Sequence, residues 1–251
     1  MNSRIQMWCA WCGPAFVAVF FTGFIVAGMI PPPSPGWNAE RVAAFYQEDT
    51  DSLRAGLVVM MISAGLTAPL VALISVQLRR IAGPDSPLPT LQLIGGTAGV
   101  LAILVPMWMF LAAAFEPTRD PQITEALNDL AFLPFIGNFP PACVQLAAIG
   151  VAILADQREK PILPRWVGYY NLWTAFLFLP GLLVVYFKDG AFAWNGAVVF
   201  WVVAVLFGNW FIVMSHVLRR AIREQRAEEE SAAAGATAPP PTSADREAVP
   251  A

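Results

Sequence analysis

LQLIGGTAGVLAILVPMWMFLAAAF, residues 91–115, runs for twenty-five positions without a charged side chain. At about 1.5 Å of rise per residue, a helix of that length reaches further than the ~30 Å hydrocarbon core of a bilayer. A spanning segment must satisfy its own backbone hydrogen bonds, which an α-helix does and an isolated strand does not. Five further apolar runs of comparable length lie at 13–30, 53–78, 130–155, 166–187 and 194–218. The whole chain agrees with them: 57% of its 251 residues are hydrophobic and 13% are charged, against roughly 45–50% and 25% in soluble domains. A soluble globule is excluded on that balance. A net charge of −3, with no basic stripe interleaved with aromatics, also speaks against a nucleic-acid partner.

The expected fold class is therefore all-α: a polytopic membrane helix bundle of six transmembrane helices, with two short amphipathic helices on the outer side. Its expected domains are a cytoplasmic amino-terminal segment (1–12), the six-helix transmembrane domain (13–218) and a cytoplasmic tail (219–251), mostly disordered from Ala227 on because its acidic, Ala-, Pro- and Ser-rich composition buries too little apolar surface. The first run is read as an uncleaved span, since five more follow it and Pro31 to Pro33 would open a mature chain poorly. Basic residues set the orientation. Arg4, Arg79, Arg80, Arg158, Lys160, Arg165, Arg219, Arg220, Arg223 and Arg226 flank one side, and Arg41, Arg54, Arg119 and Lys188 the other. Ten against four predicts a plasma (inner) membrane protein with both termini cytoplasmic and with Glu40 and Glu125 outside.

Each long outer loop holds four acids and one base. In 38–49, Asn38 is a helix cap, and Val42, Phe45 and Tyr46 share one face of a short amphipathic helix. In 116–129, Asp120 caps a helix begun by Pro121 that runs on into the fourth span. Two readings stay open: helices lying at the interface, or a lid over a central opening.

Cys9 and Cys12 form a Cys-x-x-Cys pair within MWCAWCGPAF, yet thioredoxin-type sites read Cys-Gly-Pro-Cys inside a soluble βαβ fold, and neither condition is met. Small residues near a helix start are the simpler reading, and Cys143 is a packing residue within the fourth run. One histidine, His216, and no acid clearly inside a run leave no ligand set within one chain for a metal, haem or di-iron cofactor; a haem shared between His216 and a neighbouring subunit stays open, beside His216 as an interfacial residue. Without a buried base, a Ser such as Ser63 or Ser75 has no partner for nucleophilic catalysis, so no enzyme is expected. Proton-coupled pumping lacks its usual intramembrane acid as well; Glu116 and Asp129 sit at the rim.

What remains inside the membrane is neutral polarity and interrupted helix. Pro69, Pro106, Pro134, Pro140, Pro141 and Pro180 fall within four of the six runs. In LPFIGNFPPACVQL the prolines cannot donate to the carbonyls of Ile136 and Gly137. Such breaks accompany helices that line cavities, and also plain kinks. Gln145, Asn171 and Asn209, with Thr97 a little deeper, are placed roughly 4–8 Å to the cytoplasmic side of their span midpoints. Amides facing lipid are costly, so these groups are expected to turn inward and bond one another, either as interhelical glue or as the polar floor of a cavity that opens outward past Asn138 and Asp129. The candidate ligand-binding residues are thus Asp129, Asn138, Gln145, Asn171 and Asn209. Small residues four apart, Gly23 with Ala27 and Gly95 with Gly99, predict close helix approach in a compact bundle or in a homo-oligomer.

The stretches CGPAF, PPPSP, ALNDLAFLPF, PRWVGYYNLW and AWNGAVVFW, taken in that order, resemble a family of uncharacterised bacterial six-span integral membrane proteins of about this length. The resemblance covers Cys12 to roughly Met214. It implies the architecture and brings no activity, cofactor or binding residue. The functional expectation is a non-enzymatic binder or facilitator of a small neutral, partly apolar solute or lipid, the alternative being an accessory subunit held to a membrane-protein partner.

Overall fold

A computed structural model describes residues 3–237, with side chains described to residue 233. The quoted stretch lies in a span made of one uninterrupted helix, α5 (Leu88–Phe115), with Pro89 in its first turn, where a missing N–H is harmless. Among the described residues every regular element is helical, and six helical segments are long and apolar enough to cross a membrane. They comprise α1 (Ser3–Val26), α3 (Thr50–Ala64) with α4 (Thr67–Ala82), α5, α6 (Pro121–Gly137) with α7 (Pro140–Leu154), α8 (Arg165–Phe178) with the 3₁₀ segment Leu179–Tyr186, and the π-helical segment Ala197–Val202 with α9 (Val203–Thr237). One short helix, α2 (Ala39–Glu48), lies outside them. The protein is a membrane-spanning all-α bundle.

Proline decides where spans break. Pro69 sits in the first turn of α4, just past the Gly65–Leu66 interruption, and Pro140 and Pro141 open α7 after the turn at Asn138 and Phe139. There the Gly137 carbonyl accepts from the Phe139 N–H at 3.0 Å instead of from the next helical turn. Pro180 marks the change of α8 to 3₁₀ geometry. Pro106 and Pro134 stay inside continuous helices.

The spans pack in chain order around a ring: first on second, second on third, and so to the sixth, which closes on the first through α1 and α9. Gly13 makes that closure possible, since a Cβ there would stand 3.0 Å from the Phe211 carbonyl oxygen and closer still to the Ser215 hydroxyl. Trp11 beside Arg219 and Gln6 beside Gln77 put the start of α1, the end of α4 and the later part of α9 at one end of the bundle, here the basic end. The other, acidic end carries α2 and the start of α6.

Three expectations change. The boundaries drawn at 12 and 218 mark no structural division, because α1 starts at Ser3 and runs through Cys12, while α9 passes Leu218 unbroken. The tail expected to be disordered from Ala227 is helical to Thr237; Arg220–Glu224 and Arg226–Glu230 ion pairs, both at 2.7 Å, and Gln225 donating to Glu229 support it at i,i+4 spacing. The rest of that expectation, 238–251, lies outside the described residues. Finally, α2 does not float at the interface. Ala39, Val42, Ala43 and Tyr46 are buried, and the Tyr46 hydroxyl donates to Asn128 Oδ1 of α6 at 3.1 Å.

Candidate functional site

The broken helices converge. Around the unwound turn between α6 and α7 lies a cavity of about 120 Å³, walled by five of the six spans. Eight phenylalanines line it: Phe20, Phe21 and Phe24 of α1, Phe135 and Phe139 at the break, Phe178 at the end of α8, Phe200 in the π segment and Phe207 of α9. Small residues leave the space, namely Gly99 and Ala102 of α5, Ala142 of α7 and Ala204 of α9. A Cβ on Gly99 would meet nothing within 4 Å. Asn138 contributes the single polar side chain of the lining; it is exposed, so the cavity reaches the surface there, and its amide makes no hydrogen bond to another described residue. The rings also form one connected set of tilted, edge-on and stacked contacts. Phe16 lies 4.5 Å from Phe211 and 5.2 Å from Phe20, Phe24 lies 5.9 Å from Phe200, and Phe132 stacks on Trp194 at 4.9 Å.

Above the cavity the acidic end is held together by polar contacts, some buried and some exposed. Trp194 Nε1 donates to the Pro33 carbonyl at 2.7 Å, and Gln47 to that of Pro117 at 2.7 Å. Burial, and behind it the charge of Asp129, pushes the Tyr46 phenol above its ordinary range, so the hydroxyl stays a donor to Asn128. Two arginines close the end of α5: Arg54 donates to the carbonyls of Ala114 and Phe115, and Arg119 to that of Ala112. Cations at a helix C-terminus satisfy carbonyls that lack an intrahelical partner.

The five residues expected to make a site are not brought together. Asp129 is half-buried beside Asn128 and, six residues from the cavity-lining Phe135 along α6, stands roughly 9 Å up the helix from the cavity. Of the five, Asn138 lines the cavity and Asp129, Gln145, Asn171 and Asn209 do not. Asn171, fully buried, accepts from Trp210 Nε1 at 2.9 Å and donates to the Val167 carbonyl at 2.8 Å. Asn209 is exposed and accepts from the Tyr170 hydroxyl at 2.8 Å. Two reciprocal aromatic-to-amide bonds thus join α8 to α9, and the amides pair with neighbouring rings rather than with one another. Gln145 fills the gap left by two glycines: a Cβ on Gly96 would lie 2.8 Å from its Nε2, and one on Gly95 would lie 2.9 Å from its Cβ. Its Nε2, and Oε1 of Gln92 one turn before Gly96, are buried without a hydrogen-bond partner among the described residues. Thr97 turns back on the Leu93 carbonyl of its own helix.

A polar floor is therefore not what lies beneath the opening; the wall is aromatic. Sequence reasoning passed over those phenylalanines because an aromatic inside an apolar run serves equally well against lipid or against a neighbour. Their signal was present in the i,i+4 series Phe16, Phe20, Phe24 and in Phe207 with Phe211.

Cys9 and Cys12 lie one turn apart inside α1 as free thiols, with Cys12 Sγ donating to the Trp8 carbonyl at 3.4 Å. No group of three or more His, Cys, Asp or Glu is placed to hold a metal among the described residues. Of the small-residue pairs, Gly23 and Ala27 pack on Gly56 of α3 and Gly95 packs on Pro141 and Gln145 of α7, while Gly99 faces the open cavity. Compared with protein-family models, with curated proteins and with solved structures, the chain matches none.

Proposed function

We propose that this membrane protein is a non-enzymatic binder or facilitator whose ligand is a small, neutral, largely apolar molecule carrying one hydrogen-bonding group, a lipid component included. The observation that supports it is the cavity at the helix breaks: eight phenylalanines and one unpartnered amide, Asn138, around about 120 Å³. Apolar cavities near 150 Å³ stay dry and take up benzene-sized guests, so this one suits a single ring or the end of an aliphatic chain. Aromatic walls give a guest offset or edge-on ring contacts, while Asn138 gives its hydroxyl or carbonyl one hydrogen bond at the mouth. Under the same proposal the basic end faces the cytoplasm of a bacterial plasma membrane, and kinship with the six-span bacterial family rests on the five sequence stretches alone. The alternative, an accessory subunit, has less support where Gly23 and Gly95 pack on the chain's own helices.

The test is the Gly99→Leu variant of the full chain. Gly99 lines the cavity and a Cβ there meets nothing within 4 Å, so a leucine at this position takes up cavity space. Mass spectrometry of small molecules and lipids released from purified protein should show a species present in the wild type and lost from the variant, with thermal midpoint unchanged. Equal release from both proteins would overturn the proposal.

A further inference from the structure

At the basic end, α1 and α9 present a face that neither the cavity nor the bundle's packing requires. Helical spacing aligns Arg4, Trp8 and Trp11 on α1, and His216, Arg219 and Arg223 on α9. The two rows meet where Gly13 brings the backbones together, and there the Arg219 guanidinium lies 4.1 Å from the centroid of the Trp11 ring. Arg219 Nε donates to the Ser215 carbonyl at 3.2 Å. Ring and carbonyl together fix the guanidinium, and no carboxylate pairs with it among the described residues. Trp8 is 76% exposed and Trp11 50%, an unusual state for indoles unless the surrounding medium is a lipid interface. Neither α1 nor residues 203–223 contain an acid; Glu224, the first acid along α9, is held by Arg220 at 2.7 Å.

We propose that this face binds the headgroup of an anionic phospholipid, with the phosphate on Arg219, Arg223 beside it and the two indoles at the level of the glycerol backbone. The inference is independent of the cavity. A fixed, planar guanidinium suits a phosphodiester because it offers two parallel donors with little conformational freedom left to lose. Height agrees: the apolar run of the sixth span ends at Leu218, so Arg219 stands where phosphates begin. Charge sets the class, because a lipid with an ammonium headgroup would bring that ammonium against Arg223, whereas phosphatidylglycerol brings neutral hydroxyls.

Native mass spectrometry of the full chain released from nanodiscs of mixed phosphatidylcholine and phosphatidylglycerol reads the site directly. Retained adducts should be phosphatidylglycerol in preference to phosphatidylcholine. Arg219→Gln should lower their occupancy about fivefold, the effect of one arginine at an anionic surface, and Arg223→Gln should act in the same direction should the first variant fold poorly. Arg220→Gln, whose partner is Glu224, should leave occupancy unchanged. The proposal is overturned by equal retention of the two lipids, or by an equal loss in Arg220→Gln. It is also overturned if glycerophosphoglycerol displaces the adduct, which would mark a soluble-phosphate site, or if the Arg219 variant loses a dimer signal rather than a lipid.

Discussion

The fifth and sixth spans treat their two halves differently. Toward the basic end α8 and α9 are regular helices, joined by Trp210 donating to Asn171 and Tyr170 donating to Asn209. Toward the acidic end the same two spans turn into the 3₁₀ segment and the π segment, and no side-chain hydrogen bond joins those segments among the described residues. The cavity opens at the level where the change occurs, between Phe178 on one side and Phe200, Val203 and Ala204 on the other. Regular geometry repeats a side chain every turn and so holds two amides in register with two rings. Once Pro180 removes an N–H and the π segment widens the turn, that register is lost and aromatic side chains meet around a space instead of across a bond.

If the polar clips hold the seam, removing the buried one should have the largest effect. Asn171→Leu leaves the Trp210 indole N–H without its acceptor in a fully buried place. The expected loss is about 1–3 kcal/mol, read as a lowered thermal midpoint in detergent. An unchanged midpoint would mean that the seam does not depend on its polar contacts, and the contrast between the two halves would fail.

The cap above the cavity comes next. Tyr46→Phe deletes the donor to Asn128 Oδ1, which is buried, for an expected loss of about 1–2 kcal/mol. The pH dependence has a definite sign. Burial, and then the Asp129 charge, raise the folded-state value of the phenol above its ordinary 10.0. Its contribution is therefore fully present below pH 10 and is lost progressively as pH climbs above that value. Wild-type stability should fall in that alkaline window more steeply than that of Tyr46→Phe, and parallel curves would remove Tyr46 as the titrating group.

A smaller effect separates the two clips. Asn209 is exposed, so Asn209→Leu removes one interhelical bond without burying an orphan. About 0.6 kcal/mol is the expected loss, the average for such contacts within membranes. A loss equal to that of Asn171→Leu would show that burial does not distinguish them.

Much of the architecture was legible because a bilayer imposes one strong rule, and six apolar runs of spanning length obey it. The caps at Asn38 and Asp120 were legible for a local reason, a side-chain oxygen beside free N–H groups, and both form as expected. The candidate site was legible at Asn138 alone, where two prolines made a break necessary. Gln145, Asn171 and Asn209 were legible as amides within the spans, but position along a span does not tell which neighbour a side chain meets. Tyr170 and Trp210 stand next to Asn171 and Asn209 in sequence and serve the opposite helix, a pairing that depends on rotation about each axis. Arg54 was legible as a charge and not as a C-terminal partner of α5, because its acceptors lie sixty residues away.

The weakest expected effect tests whether the two ends of one helix are independent. On α1, Phe20, Phe21 and Phe24 line the cavity, while Cys9 and Cys12 lie about two turns or more toward the basic end. Both thiols are free and only partly buried, and the bond from Cys12 to the Trp8 carbonyl is one that a serine hydroxyl reproduces. The double substitution Cys9→Ser, Cys12→Ser should change stability by less than about 0.5 kcal/mol and leave release of the cavity's guest as in the wild type. Thermal midpoint and the small-molecule spectrum of the purified variant measure both. A guest lost at unchanged stability would mean that the thiols act at a distance on the cavity, through metal or disulfide chemistry. The basic half of α1 would then belong to the site rather than to its support.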